Sequence, residues 1–217
     1  MPVVMDVVII GGGPGGYEAA LVASQLGGRV TVIERRGPGG SAVLTDVVPS
    51  KTLIATAEVM TTLRGAHELG LRLNGAEDLA GAFRVDLAAV NERVLRLAAA
   101  QSGDIRTRLE AEGVRLIEGS GRLDGTEWVV ASTADGEERL RADIILLATG
   151  TTPRELPAAR PDGERILTWT QLYGLSELPK RLIVVGSGVT GAEFASAYNA
   201  LGADVLLVSS RDQALPG

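Results

Sequence analysis

Three stretches combine residue types and spacing that point to chemistry. Residues 11–16, GGGPGG, put Gly11, Gly13 and Gly16 at G-x-G-x-x-G spacing around Pro14 and Gly15. Residues 186–191, GSGVTG, repeat it with Gly186, Gly188 and Gly191 around Val189 and Thr190. A loop of this kind, set between a strand and a helix, turns unpaired N–H groups and the positive end of the helix dipole toward a pyrophosphate. The first glycine permits the tight turn, the second a close backbone approach to phosphate, and the third close packing of helix on strand. Glu34, followed by Arg35, stands 23 positions after Gly11. That is near the ~20 expected of the acid that accepts the hydroxyls of a ribose. The same count from Gly186 reaches Ser209, with Ser210 and Arg211 behind it. A carboxylate there would repel a ribose 2′-phosphate, whereas Ser and Arg bind one, so the second loop leans to NADPH over NADH. The competing reading makes Arg211 an ordinary loop arginine. The third stretch, residues 39–51, reads GGSAVLTDVVPSK. It opens on Gly39, Gly40 and Ser41, closes on Lys51, and is filled between with residues that have almost no chemistry of their own.

These residues need strands and helices to hold them. Residues 4–10, VMDVVII, form an apolar run bounded by glycine, the pattern of a buried parallel strand. A packed helix follows until Gly27-Gly28, and RVTVIE is a second strand ending in Glu34. The second loop sits in the same context: strand 181–185, a helix from about 190 to 201, Gly202, and strand 204–209. Two such units predict an α/β chain of Rossmann-like character. Between them, residues 50–70 predict a helix started by Ser50 after Pro49. Residues 85–113 predict a long helix with Leu87, Val90, Val94, Leu97, Ile105 and Leu109 on one buried stripe. Residues 114–147 turn to strand patterns, with Asp124-Gly125 and Asp135-Gly136 as turn signals. The run IILLATG predicts a further buried strand ending at Ala148, Thr149 and Gly150, where a cofactor is approachable. A Pro-rich connector follows. The expected organisation is a nucleotide-binding domain over 1–150, a linker over 151–179 and the start of a second such domain over 180–217.

Composition narrows the classes. The 217 residues carry a net charge of −6, only 3% aromatics and no basic stripe, which argues against a nucleic-acid partner. No apolar run reaches the length of a membrane span. The N-terminus, MPVVMDVVII, reads as a first strand and not as a signal peptide. The absence of cysteine excludes disulfides, thiolate nucleophiles and Cys-ligated metals, and suits a cytoplasmic protein. His67 is the single histidine and reads as a solvated residue at a helix end, so no metal site is expected.

The order GGGPGG, then GG…PSK, then ATG-x-x-P, then GSGVTGAE resembles the two-dinucleotide-binding flavoproteins of the pyridine nucleotide–disulfide oxidoreductase family, which includes dihydrolipoamide dehydrogenase and glutathione reductase. The resemblance runs over nearly the whole chain. It implies an FAD-binding domain with inserted β-strands, FAD on the first loop and NADPH or NADH on the second. In disulfide-reducing members the third stretch reads G-G-[ST]-C-x-x-x-x-C-x-P-S-K; here Ala42 and Val47 occupy the cysteine positions. Dithiol–disulfide exchange needs a thiolate, so reduction of a disulfide substrate by that route is excluded. The remaining route runs from NAD(P)H through flavin to an acceptor that needs no thiol: a quinone, with dioxygen and dyes as further acceptors. The segment looks most like the cysteine-lacking actinobacterial branch of NAD(P)H–quinone dehydrogenases.

The resemblance also implies residue roles. Lys51 matches the lysine near flavin N5 and Glu193 the glutamate that pairs with it, a pair that tunes the flavin. Gly39, Gly40 and Ser41 match the loop crossing the FAD phosphates and ribityl chain. Gly121 and Arg122 match a segment near the adenine, and Thr149 and Gly150 the loop beside FAD. Members of the family are roughly twice as long and form homodimers. The rest of the nicotinamide domain, a later FAD-touching segment and the C-terminal dimerisation domain are not in this sequence. A nucleotide-binding fragment with no turnover is therefore the alternative to an active enzyme. A Rossmann-type NAD sensor or dehydrogenase without flavin is a third reading, which Lys51 and the ATG motif oppose.

Overall fold

The computed structural model describes residues 4–72, 82–213 and 215. The first three residues of the expected N-terminal strand, and residues 214, 216 and 217 at the end of the expected second domain, lie outside them. In chain order the elements are β1 (Asp6–Ile10), α1 (Pro14–Gln25), β2 (Arg29–Glu34), α2 (Gly40–Leu44), α3 (Val47–Gly65), α4 (Leu87–Ala111), β3 (Arg115–Glu118), β4 (Ser120–Leu123), β5 (Trp128–Thr133), β6 (Gly136–Arg141), β7 (Ile144–Leu147), β8 (Arg181–Val185), α5 (Val189–Leu201) and β9 (Asp204–Val208). A 3-10 turn, Trp169–Gly174, precedes β8. The chain forms two compact units, one of residues 1–48 and 97–153, the other of 49–96 and 154–217. Two of their three boundaries fall inside α3 and α4, and the third, after Pro153, lies in the connector.

The first unit is a parallel sheet of order β3-β2-β1-β7 beside an antiparallel meander, β4-β5-β6. Alternate residues of β1 serve opposite faces, as the period of a strand requires. Val7 and Ile9 join Ala20, Leu21, Val30, Val32 and Leu109 in one core. Val8 and Ile10 join Ile33, Ile117, Val129 and Ala131 in another. Burial on both sides is why β1 is apolar without a break from Val7 to Ile10. The turns fall where expected: Asp124-Gly125 lies between β4 and β5, and Asp135 precedes β6, which opens on Gly136.

IILL, expected as a buried strand, is instead an edge strand. Among the described residues β7 pairs only with β1, in the register Val7↔Ile144 to Ile10↔Leu147, and Ile144 and Leu147 are 45% and 57% exposed. The stripe of α4 is corrected too. Leu97 is 41% exposed, and Ala98 takes the buried place. From Val94 the buried face advances in steps of four, to Ala98 and Ser102, which carries Leu97 off it. The Ser102 hydroxyl then donates to Pro38 O at 2.6 Å.

In the second unit, Phe194, Ala197, Tyr198 and Leu201 form the buried stripe of α5 and pack with Leu53, Leu87, Val94 and Leu172. Helix α3 begins three residues before Ser50 and stops at Gly65. Pro49 thus lies inside its first turn, where a missing N–H breaks no intrahelical bond. The strands β8 and β9 pair in parallel, Ile183 opposite Leu206 and Val185 opposite Val208. All four of these side chains are exposed on one face. The Pro-rich connector is ordered by Asp162, whose carboxylate accepts the amides of Ile166, Glu164 and Arg165. Those three amides hold its carboxyl below the usual carboxylate range.

Candidate functional site

The first glycine loop leaves β1 and enters α1. Gly11 adopts φ 104°, and a Cβ there would stand 2.2 Å from Ala148 O, so the turn admits no side chain. Gly13 caps α1 without a side-chain partner, and Pro14 opens the helix, where its lack of an N–H is harmless. A Cβ on Gly16 would meet Gly11 O at 1.9 Å, which is the close packing the spacing predicts. Glu34 ends β2 beside this loop. Its carboxylate accepts the Gly12 amide at 2.7 Å and the Arg36 amide at 2.8 Å. The α2 segment comes up on the other side. The amide of Gly39 donates to Gly12 O at 2.7 Å, and a Cβ on Gly40 would lie 2.7 Å from Gly13 Cα.

These elements enclose a crevice of about 440 Å³, within the range of ligand pockets. Of the residues singled out in the sequence, Gly11, Gly13, Pro14, Gly15, Glu34, Arg35, Gly40, Ser41, Gly121, Ala148, Thr149 and Gly150 line it. Gly16, Gly39 and Arg122 do not: Gly16 packs against the Gly11 carbonyl, Gly39 against Val43, and Arg122 faces Glu137 at 3.5 Å. Sequence reasoning missed Arg36, Leu44, Thr45, Gly119, Ser120 and Thr151. Arg36 acts through its backbone, which no side-chain pattern reveals. Gly119 and Ser120 reach the crevice because the Gly119 amide donates to Glu34 O at 3.0 Å, carrying the chain from β3 across to β4. With backbone amides, a bare loop, one carboxylate and apolar walls from Ile10 and Ile33, the crevice suits a phosphate-bearing ligand with a diol.

In the second unit the loop is built the same way. Gly186 adopts φ 116°, Gly188 caps α5, and a Cβ on Gly191 would lie 2.0 Å from Gly186 O. Val189 and Thr190 open the helix. Ser209, Ser210 and Arg211 follow β9 and are exposed. The Ser209 hydroxyl lies 2.7 Å from that of Ser187. Elsewhere in this unit, Lys51 Nζ forms an ion pair and hydrogen bond with Glu193 Oε1. Their side chains are 55% and 22% exposed. Buried Ser50 donates to the other carboxylate oxygen, Glu193 Oε2, at 3.2 Å, a contact sequence reasoning missed. Helix α3 brings Ser50 and Lys51 to Glu193, in the first turns of α5. Ala42 sits in α2 and Val47 opens α3. Among the described residues, no helix is long and apolar enough to cross a membrane.

A parallel sheet with a glycine loop at its strand end, and a second strand–loop–helix unit of the same build, define a Rossmann-like α/β oxidoreductase fold. Residues 5–217 match the pyridine nucleotide-disulphide oxidoreductase family, and the chain belongs to it. It is 51% identical, over 223 aligned positions, to the NAD(P)H dehydrogenase (quinone) of Mycobacterium tuberculosis strain H37Rv, covering 98% of this chain and 44% of that protein. It is 36% identical to a dihydrolipoyl dehydrogenase of Zymomonas mobilis, covering 97% of this chain and 44% of the relative. The crystal structure of LpdA from Mycobacterium tuberculosis matches with a TM-score of 0.89 and 50% identity, over 99% of this chain and 46% of that one. The chain thus spans a little under half the length of these relatives.

Proposed function

We propose that the chain carries the FAD-binding domain, over residues 1–150, and the first part of the NAD(P)H-binding domain, from residue 180, of an oxidoreductase. It passes electrons from NAD(P)H to a quinone-like acceptor in the cytoplasm without a redox disulfide. The observation that carries this reading is at residues 39–51. The glycine loop and Lys51 flank the segment, while Ala42 and Val47 stand where disulfide reductases carry their two cysteines. This stretch therefore offers no thiolate to enter exchange.

The first crevice fits FAD. Two of the roughly four lone-pair directions of the Glu34 carboxylate take the Gly12 and Arg36 amides, and the others suit ribose hydroxyls. Bare Gly13 and Gly40 let a pyrophosphate approach the backbone. When bound, FAD supplies the hydride and electron chemistry. The chain's residues would bind and tune it: by the family resemblance Lys51, ion-paired with Glu193, would supply a positive charge that favours the reduced flavin, and Ser50 holds the Glu193 carboxylate that pairs with it. The relative named NAD(P)H dehydrogenase (quinone) supports a quinone-like acceptor. A homodimer is the assembly the family resemblance implies for the full-length relatives.

The test is the absorbance of the purified chain after addition of FAD and desalting, followed by anaerobic NADPH or NADH. Retained flavin bands that bleach support the reading; a retained flavin that neither donor bleaches overturns it. A second reading, a nucleotide-binding fragment without turnover, is favoured by the 44% coverage of the relatives. Steady-state quinone reduction by this chain alone would refute it.

A further inference from the structure

The two glycine loops are built alike but are closed differently at the strand end. The Gly11 amide donates to Ile33 O, and the Gly186 amide to Val208 O, both at 2.9 Å. This fixes the correspondence: Gly12 with Ser187, Glu34 with Ser209, Arg36 with Arg211. In the first unit the Glu34 carboxylate accepts the Gly12 amide and the Arg36 amide. In the second, the Ser209 hydroxyl accepts the Arg211 amide at 3.0 Å and donates to Arg211 O at 2.8 Å. A serine has one hydroxyl proton. With that of Ser209 committed to the Arg211 carbonyl, Ser187 is the donor across the 2.7 Å hydroxyl pair.

Size is exchanged along with charge. A Cβ on Gly12 would stand 3.1 Å from both Cβ and Cγ of Glu34 and 3.3 Å from its Oε2. A side chain at the loop position therefore crowds a long acid at the strand end, which would have to give way by a few tenths of an ångström. Ser187 holds that loop position in the second unit and is only 6% exposed. A bare loop residue goes with a long acid, and a loop serine with a short strand-end serine.

We propose that Ser187 is a specificity-setting positioning residue. It crowds the volume an acid at position 209 would need and fixes Ser209 through the hydroxyl pair. The second loop thereby carries no carboxylate against a 2′-phosphate and takes a dinucleotide whose adenosine ribose is 2′-phosphorylated, with Arg211 as its cation. The inference rests on the second loop being a pyridine-nucleotide site, as proposed above.

Calorimetric binding of NADP+ and NAD+ to the full chain, with FAD in excess to occupy the first loop, tests it without turnover. The wild-type chain is expected to bind NADP+ at least about threefold more tightly than NAD+, since a 2′-phosphate gains a charge-assisted contact. Ser209→Glu should lose NADP+ affinity by about tenfold or more and gain none for NAD+. S187G/S209E should bind NAD+ about tenfold better than Ser209→Glu, a coupling of about 1.4 kcal/mol. S187A/S209E should stay with Ser209→Glu, because the Cβ alone obstructs the acid. If Ser209→Glu does not fold, recovery of the melting transition in S187G/S209E reads the same coupling, and no recovery overturns it. Equal NAD+ affinity in Ser209→Glu and S187G/S209E, or a wild-type preference for NAD+, also overturns it. A wild-type chain that binds neither nucleotide defeats the reading of the second loop itself, and this inference with it.

Discussion

Glu34 is the side chain on which the first crevice turns. Its carboxylate ties the glycine loop to the end of β2 through two backbone amides. Glu34→Ala should therefore weaken FAD retention by roughly tenfold to a hundredfold, as expected on losing charge-assisted hydrogen bonds of about 1.5–3 kcal/mol, and equilibrium dialysis would measure it. Lys51 tests a different property. Lys51→Met should leave FAD bound but lower the flavin potential by roughly 30 mV, the two-electron equivalent of about 1.4 kcal/mol. An unchanged potential in dye equilibration would remove Lys51 from the role proposed for it. At this scale the sequence was most legible where spacing and side-chain type carry the chemistry, as with Gly11, Gly13 and Glu34. It was silent on the Arg36 amide and on the Ser50–Glu193 bond. The first is a backbone contact, and the second joins residues far apart in the chain.

Among elements, the two strand–loop–helix units were readable in full, because a turn with φ above 100° and a helix packed against its own entering strand each demand glycine. The third glycines make the sharpest test. Gly16→Ala and Gly191→Ala would each drive a Cβ to about 2 Å from a carbonyl oxygen. Each should destabilise its unit by about 3 kcal/mol, readable in denaturant melts. What escaped the sequence was neighbourhood. IILL reads as buried whether one strand or two flank it, and only the pairing shows β7 at an edge. Pro49 reads as a helix boundary, yet the first turn of α3 tolerates it.

Tyr198, on the buried face of α5, gives this element a pH signature. Burial pushes its hydroxyl up to about 12, while an unfolded tyrosine ionises near 10. Between those values the folded chain keeps a proton that the unfolded chain has lost, so stability falls as pH rises through the window. The loss reaches at most about 2.7 kcal/mol. Tyr17, raised chiefly by burial, acts in the same sense in the first unit. Tyr198→Phe should flatten the alkaline limb of a stability–pH curve without moving the neutral plateau by more than about 1 kcal/mol.

At the scale of the molecule, the chain divides into two units, and among the described residues only the first holds a sheet of four parallel strands. The second rests on a helical core and a two-stranded sheet, a size that is marginal without further packing. That sheet turns Ile183, Val185, Leu206 and Val208 outward together. The consequence is colloidal. A net charge of −6 keeps copies of the chain apart at long range, but the apolar strip attracts at contact. Raising salt shortens the reach of the repulsion, to about 10 Å at 0.1 M and about 3 Å at 1 M, and leaves the attraction intact. Concentrated solutions of this chain should therefore scatter more light as sodium chloride is added, the reverse of a protein held together by ion pairs. I183K/L206E should abolish the rise.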